Sequence, residues 1–378
     1  MDSVLTKDGW PGILHWPSAR KRGMVPSGVK VLSDHDLRPK APQVSDMLGR
    51  PLRDLRISLT DHCNFRCVYC MPKAVFGTRY RFVDHAGLLT FEEIERLVRL
   101  FAQLGVGKLR LTGGEPLLRP HIEDLIAALV AVPGIEDIAV TTNGSLLTAK
   151  KAKALKDAGL RRVTISIDSL SDETYQAMND VGFPVEKVLQ AIDHAEAAGL
   201  PVKLNMVVRR GLNDQDIVPM AERFRHTPHV LRFIEYMDVG NMNGWRPEDV
   251  VPSREIMARI GERWPLEPLE PSRYGEVASR YGYKDGQGEI GFISSVSQPF
   301  CQTCTRARLS PEGTLYTCLF GTSGKDLREL LRGGARDDEI LGTLKQVWGS
   351  REDRYSELRS LLRGRGSGQK VEMFHIGG

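Results

Sequence analysis

The chain has 378 residues and a formal charge of +4, enough for one large core with an appendage. That mild excess is far from the cationic coat of a nucleic-acid binder, and no run of about 18 apolar residues suggests a membrane span. The first residues, "MDSVLTKDGWPGILHW", lack a basic stretch followed by an apolar one, so a cytoplasmic protein with reduced cysteines is expected, with metal or redox chemistry ahead of disulfides.

Up to Met47 the sequence is rich in Pro, Gly and charge without a clear period, and residues 1–47 are expected to form a loosely ordered extension. From Leu55, short β-rich runs alternate with amphipathic helical ones. "LRISLT" reads as a strand ending in a cysteine loop, "FEEIERLVRLFAQLG" as a helix stopped by glycine, and "KLRLT" as a strand ending in "GGEP". "DIAVTTNG", "RVTISIDS", "VKLNMVV" and "VLRFIEYM" complete six predicted strands. Between them lie "HIEDLIAALVAV", "AKKAKALKDAG", "PVEKVLQAIDHAEAAG" and "DQDIVPMAERFRH", the last helical despite Pro219. Six β/α units with short links predict a parallel sheet buried on both faces. Six are too few for a closed eight-stranded barrel, so the expected fold over residues 48–243 is α/β, a partial open (β/α)6 barrel. Chemistry in such folds sits at the C-terminal strand ends. The cysteine loop, "TGGEP", "TTNG", "SIDS" and "EYM" all fall there.

After Asn243 the repeat stops, and residues 244–378 read as a second module. "SREIMARIGE" is a predicted helix with Ser253 as N-cap. "EIGFIS", "RARLS" and "GTLYT" are predicted strands, the last two joined by a "PEG" turn. The terminal "EMFHIGG" is flexible by composition.

"CNFRCVYC" places Cys63, Cys67 and Cys70 with three and then two residues between them. Three thiolates in one loop can hold three irons of a 4Fe–4S cube, leaving the fourth iron for a non-protein ligand. A zinc knuckle that borrows His62 or a distant residue is the alternative. Cys301, Cys304 and Cys318 use up the six cysteines, so no seventh thiol completes either set. A second 4Fe–4S cluster with an open iron competes there with a zinc site that uses a histidine, of which His375 is the nearest downstream. Arg306 and Arg308 alternate on a predicted strand and face one side, where two guanidiniums suit bidentate phosphate recognition.

The three-cysteine spacing, with aromatic Tyr69 before the last cysteine, resembles the radical S-adenosylmethionine (radical SAM) superfamily. "GGEP" after the second strand, Ser166 after the fourth and Met237 after the sixth match its order. The resemblance implies that SAM chelates the open iron. An electron from the cluster then splits its sulfonium bond and leaves a 5′-deoxyadenosyl radical. Both cysteine motifs, "LRISLTDHCNFRCVYCMP" and the terminal "GG" are similar to the GTP 3′,8-cyclase family of molybdenum-cofactor biosynthesis, from about Leu52 to Gly378. That likeness implies two 4Fe–4S clusters, on Cys63, Cys67 and Cys70 and on Cys301, Cys304 and Cys318. It also implies SAM contacts from Tyr69, Gly114, Ser166 and Met237. GTP contacts would come from Arg56, Arg110, Thr141, Lys203, Arg306, Ala307 and Arg308, with Lys108 and Arg232 as lesser phosphate candidates. Arg308, Gly377 and Gly378 would assist catalysis, with guanine on the open iron of the second cluster. Hydrogen abstraction from C3′ of GTP and attack on C8 would give 3′,8-cyclo-7,8-dihydro-GTP. A reducing electron donor and a downstream cyclic pyranopterin monophosphate synthase are the implied partners. Neither nucleic acid nor membrane is among them, and a homodimer is compatible. The sequence departs from the family at His62, where many members have Arg, and in the longer loop "KAVFGTRYRFVDHAG". A peptide-modifying radical SAM enzyme is the first alternative, disfavoured by the cysteine count. A non-enzymatic iron–sulfur or zinc protein is the second.

Overall fold

The computed structural model describes residues 44–362 and 369–378. The extension expected over 1–47 therefore lies outside the described residues except for its last four. Of these, Ser45 bridges Pro51 and Asp46 is buried.

The first half alternates strand and helix: β1 (Asp54–Ser58), α1 (Phe91–Gln103), β2 (Lys108–Thr112), α2 (Ile122–Val130), β3 (Asp137–Thr142), α3 (Ala149–Asp157), β4 (Arg162–Ser166), α4 (Asp172–Asn179), α5 (Val185–Ala197), β5 (Val202–Val208), α6 (Ile217–Phe224) and β6 (Val230–Glu235). Helix starts follow local chemistry. Thr90 and Glu93 form a capping box on α1, and Thr148 and Ser171 cap α3 and α4. Pro219 sits in the first turn of α6, where no intrahelical partner for an N–H is needed. The six strands pair in sequence order, all parallel. Leu55 and Ile57 of β1, and Leu109 and Leu111 of β2, enter the core under the helices.

The other sheet face differs from the expectation of two apolar sides. In β1 and β2 the alternate positions are Asp54, Arg56, Ser58, Lys108, Arg110 and Thr112. The period of two sends these polar chains to the concave side, where Arg56, Lys108, Arg110 and Thr112 line a cavity.

The chain continues through α7 (Ser253–Gly261), β7 (Leu266–Leu269), β8 (Ser279–Tyr283), β9 (Glu289–Ile293), β10 (Arg306–Leu309), β11 (Thr314–Tyr316), β12 (Lys325–Asp326), α8 (Arg328–Arg332), α9 (Asp337–Gly349), α10 (Tyr355–Leu362) and α11 (Met373–Ile376). Its strands extend the same sheet at both edges, giving the order β12-β11-β10-β1-β2-β3-β4-β5-β6-β9-β8-β7. β9 runs parallel to β6 and β10 parallel to β1, and the sheet does not close. Ser253 is not the N-cap of α7. Pro252 holds that place, and the Ser253 amide donates to Glu235 Oε1 at 2.7 Å. The buried Glu235 carboxylate also accepts the amides of Val296 and Ser297, so this residue of "EYM" braces the second half of the chain. Nor is the tail loose, since α11 is helical and buries Phe374 and Ile376. Among the described residues no helix is long and apolar enough to cross a membrane.

Candidate active site

The cavity, about 410 Å³, lies on the concave side of the sheet. Cys63, Cys67 and Cys70 line it, and so do Cys301, Cys304 and Cys318. Two segments far apart in sequence thus open onto one space of the size small ligands occupy.

The first triad follows β1. Gly113 and Gly114 after β2 pack directly against the turn that precedes it. A Cβ on Gly114 would lie 2.1 Å from His62 O, and one on Gly113 2.3 Å from Thr60 O. The Gly114 amide donates to Thr60 O at 2.7 Å and that of Glu115 to His62 O at 2.8 Å. The glycines are required first for this backbone contact, and only with it in place does Gly114 reach the cavity wall. Glu115 is buried and accepts from Thr142 Oγ1 at 2.7 Å and the Asn143 amide at 2.8 Å. Burial pushes its carboxyl up to about 7 against those bonds. Tyr69 lines the cavity and donates its hydroxyl to Asp168 Oδ2 at 3.0 Å. The triad's donors to sulfur are neutral, with the Phe65 amide 3.4 Å and Asn143 Nδ2 3.9 Å from Cys63 Sγ. Burial accordingly raises all three thiols, Cys63 to about 12.

The second triad sits among cations. Arg306 Nη2 is 3.1 Å from Cys304 Sγ and Arg351 Nη2 is 3.2 Å from it. Burial works against ionisation of Cys304, but these guanidiniums outweigh it and hold the thiol down to about 6. Cys318 is raised to about 11 by burial and by Asp353. Among the described residues no three His, Cys, Asp or Glu side chains gather closely enough for one metal ion.

Strand register builds the wall between the triads. Arg308 pairs across to Arg56 and Arg56 to Arg110, which places three arginines in one lateral row. The row beside it runs Arg306, Asp54, Lys108, Asp137. Like charges side by side on a sheet repel. Asp54 and Asp137 lie near Lys108, and Asp137 holds Arg162 at 2.6 Å. Among the described residues no carboxylate lies in ion-pair range of Arg56, Arg110, Arg306 or Arg308. Burial and the neighbouring guanidiniums depress Arg56, Arg110 (to about 10) and Arg308 (to about 9). Burial, Arg273 and Arg162 take Lys108 down to about 6, and burial with Arg232 takes Lys203 to about 8. This wall carries an unmet need for anionic charge. Among the described residues, buried Thr141 Oγ1, Asn205 Oδ1 and Arg232 Nε find no hydrogen-bond partner, and they belong to residues on the same cavity.

Arg308 also donates to the carbonyls of Ile376 and Gly377. Gly377, at φ 73°, lies so near Thr112 that a Cβ would come within 2.2 Å of its Cγ2. Over the tail lies the long loop, in which Phe76, Tyr80 and Phe82 surround Phe374 edge-on.

The structure therefore brings to one cavity all six cysteines with Tyr69, Gly114, Ser166, Met237, Arg56, Arg110, Thr141, Lys203, Arg306, Arg308, Lys108, Arg232 and Gly378. Gly377 adjoins it through Arg308. Ala307 points the other way, into the core. Sequence reasoning missed Arg351, which follows Cys318 by a long interval and carries no local motif. It also missed Arg162 and Arg273, ordinary surface cations by pattern.

A model of the radical SAM superfamily matches residues 57–224, and one described as Molybdenum Cofactor Synthesis C matches 229–357. A GTP 3′,8-cyclase of Acidothermus cellulolyticus is 53% identical over 84% of this chain and 89% of its own length. One of Staphylococcus carnosus is 47% identical over 89% of this chain and 99% of its own. Among solved structures, Streptococcus suis SuiB bound to S-adenosylmethionine aligns with TM-score 0.55 at 14% identity, over 78% of this chain and 68% of that one, a likeness of fold alone. By these matches the chain belongs to the GTP 3′,8-cyclase family of the radical SAM superfamily.

Proposed function

We propose that this chain converts GTP to 3′,8-cyclo-7,8-dihydro-GTP, the first step of molybdenum-cofactor biosynthesis. The observation that carries the reading is one cavity with a cysteine triad at each side and, between them, a row of arginines with no carboxylate in ion-pair range among the described residues. Cys63, Cys67 and Cys70 would hold a 4Fe–4S cluster, and Tyr69, Gly114, Ser166 and Met237 would contact SAM beside it. With reductant, that pair supplies a carbon radical able to take hydrogen from an unactivated C–H bond. Cys301, Cys304 and Cys318 would hold a second 4Fe–4S cluster, which would supply a ligand site for the guanine.

Arg56, Arg110, Arg306 and Arg308 neutralise the triphosphate, each charged hydrogen bond being worth about 1.5–3 kcal/mol. Lys203, Lys108 and Arg232 extend that wall, and Thr141 and Asn205 supply the polar atoms that lack partners. Held at both ends, the ribose presents C3′ toward the SAM side, and orientation is the chain's main contribution to rate. Arg308 fixes Gly377, and α11 with the aromatic loop keeps water from the open end. An external one-electron reductant is required, and the product passes to a cyclic pyranopterin monophosphate synthase.

The test is an anaerobic assay with reductant, SAM and GTP. 5′-Deoxyadenosine should form only with GTP present and should carry deuterium from C3′-labelled substrate. Deuterium from another position, or turnover with a peptide instead, rejects the reading.

A further inference from the structure

Beside the second triad lies a buried ionic network that the proposed reaction leaves unused. The Asp46 and Arg50 side chains are fully buried, with Arg50 Nε 2.7 Å from Asp46 Oδ2. Arg351 Nη1 meets the same carboxylate oxygen at 3.0 Å. Arg50 Nη1 donates to Cys301 O and to Asp353 O, each at 2.8 Å. Arg351 donates through Nη1 to Cys304 O at 2.9 Å, through Nε to Thr317 O at 3.1 Å and through Nη2 to Cys304 Sγ at 3.2 Å. Its guanidinium lies 4.5 Å from the Trp348 ring centroid, and Trp348 Nε1 donates to Arg50 O at 3.1 Å.

Burying two guanidiniums and one carboxylate is costly unless the charges are well paired. Asp46 offsets one guanidinium, and the partly exposed Asp353, whose Oδ2 lies 3.5 Å from Arg351 Nε, partly offsets the other; the free arm of the Arg351 fork is turned to the Cys304 sulfur. Arg306 also reaches that sulfur, but it stands in the cation wall assigned to nucleotide. Arg351 is fixed by Asp46, Asp353, Thr317, Trp348 and the Cys304 carbonyl, so its bond to sulfur needs no substrate. Among the described residues, Cys63 Sγ receives neutral donors, and Arg66 donates to the Cys63 carbonyl rather than to the sulfur. Hydrogen bonds and charge at cluster sulfurs are principal determinants of reduction potential. A fixed positive charge stabilises the more negative, reduced cluster.

We propose that Arg351, braced by Asp46 and Arg50, is a positioning residue that keeps the second cluster at a higher reduction potential than the cluster on the first triad. This rests on the reading that the second triad holds a 4Fe–4S cluster. Poised so, the second cluster is no competitor of the first as the reductant of SAM, and its task is to hold substrate.

The test uses the full chain with Cys63, Cys67 and Cys70 changed to Ser, so that only the second triad can carry a cluster. Iron and sulfide are measured first, then the midpoint is read by dithionite titration with electron paramagnetic resonance. Arg351→Leu should lower the midpoint. At a fixed potential the reduced-to-oxidised ratio should fall about tenfold, which for one electron is about 59 mV. Arg351→Lys keeps charge without the fork and should shift the midpoint less. Where the Leu variant loads no cluster, the Lys variant carries the comparison, and loss of cluster in both assigns Arg351 to scaffolding and overturns the proposal. Zinc without sulfide in the parent sinks the second-cluster reading and this role with it. A full cluster whose midpoint ignores residue 351 sinks this role alone.

Discussion

The two cysteine triads use the same three thiols in opposite surroundings. The first lies in a turn clamped by Gly113, Gly114 and Glu115, with neutral donors to sulfur, and burial, helped by nearby carboxylates, raises its thiols. The second is wrapped by Arg306 and Arg351, and Cys304 is pulled down to about 6 despite burial. Ligand count therefore does not define these sites. What distinguishes them is the charge delivered by side chains distant in sequence, and the cationic side is the one joined to the arginine row.

The largest effect should come from breaking one triad at a time. Cys67→Ser and Cys304→Ser should each halve the iron and sulfide per chain and abolish product. Equilibrium dialysis should then separate them, with SAM binding lost in the first and GTP binding in the second. Retention of wild-type GTP binding by Cys304→Ser would contradict the division. A second break targets the clamp peculiar to the first triad. Gly114→Ala drives a Cβ into the His62 carbonyl and should cost about 1–3 kcal/mol or more. Thermal unfolding would show it, together with selective loss of the first cluster.

The arginine row is tested more gently. Arg308→Gln should weaken GTP binding by about 1.5–3 kcal/mol, a tenfold to hundredfold loss, and leave SAM affinity unchanged. Ser166→Ala should do the reverse on a smaller scale, with one neutral hydrogen bond of about 0.5–1.5 kcal/mol at stake. Equal losses for both ligands in either variant would merge the two halves of the cavity.

The smallest effect is a pH dependence confined to the nucleotide. Burial and the surrounding cations lower Lys203 to about 8 and Lys108 to about 6. Lys108 faces Arg273, Arg162 and Arg110, with Asp54 and Asp137 as partial counter-charges. Lys203 faces Arg232 and Arg162, with Glu276 and Glu289 opposing them. A bound polyanion favours the charged amines, so protons are taken up on binding. GTP affinity should therefore rise as pH falls from about 9 through about 8 toward about 6, by at most about tenfold per pH unit for each proton. Calorimetry in buffers of different ionisation enthalpy measures that uptake directly, and none at pH 7 would refute it.

Much of this was legible in the sequence because it is local. The β/α alternation, the strand ends and both cysteine spacings are short-range patterns, and Arg306 and Arg308 announced a shared face by their spacing of two. What was not legible depends on partners far along the chain. Ser253 looked like a cap until the buried Glu235 claimed its amide. "EMFHIGG" reads as a frayed end, yet Phe374 is enclosed by a loop about 300 residues earlier. Arg351, Asp46 and Arg50 carry no motif, because their meaning lies in mutual contact around Cys304. The polar face of β1 and β2 was present in the alternation of "DLRIS" and "KLRLT", and was obscured by the general rule that parallel strands are apolar on both sides.

The pairing of β10 with β1 joins Asp54 to Arg306, and that of β6 with β9 joins Leu231 to Ile290. During synthesis β1 emerges long before the strand that covers its outer edge. Until residue 293 has been made the six-stranded sheet carries two bare parallel edges, and until residue 309 the β1 edge stays bare; such edges recruit other chains. Contacts so distant in sequence also close slowly. The family's chemistry thus comes with a folding burden: a chain that stalled before Glu289 would expose both edges, making this the interval in which nascent protein most needs a chaperone.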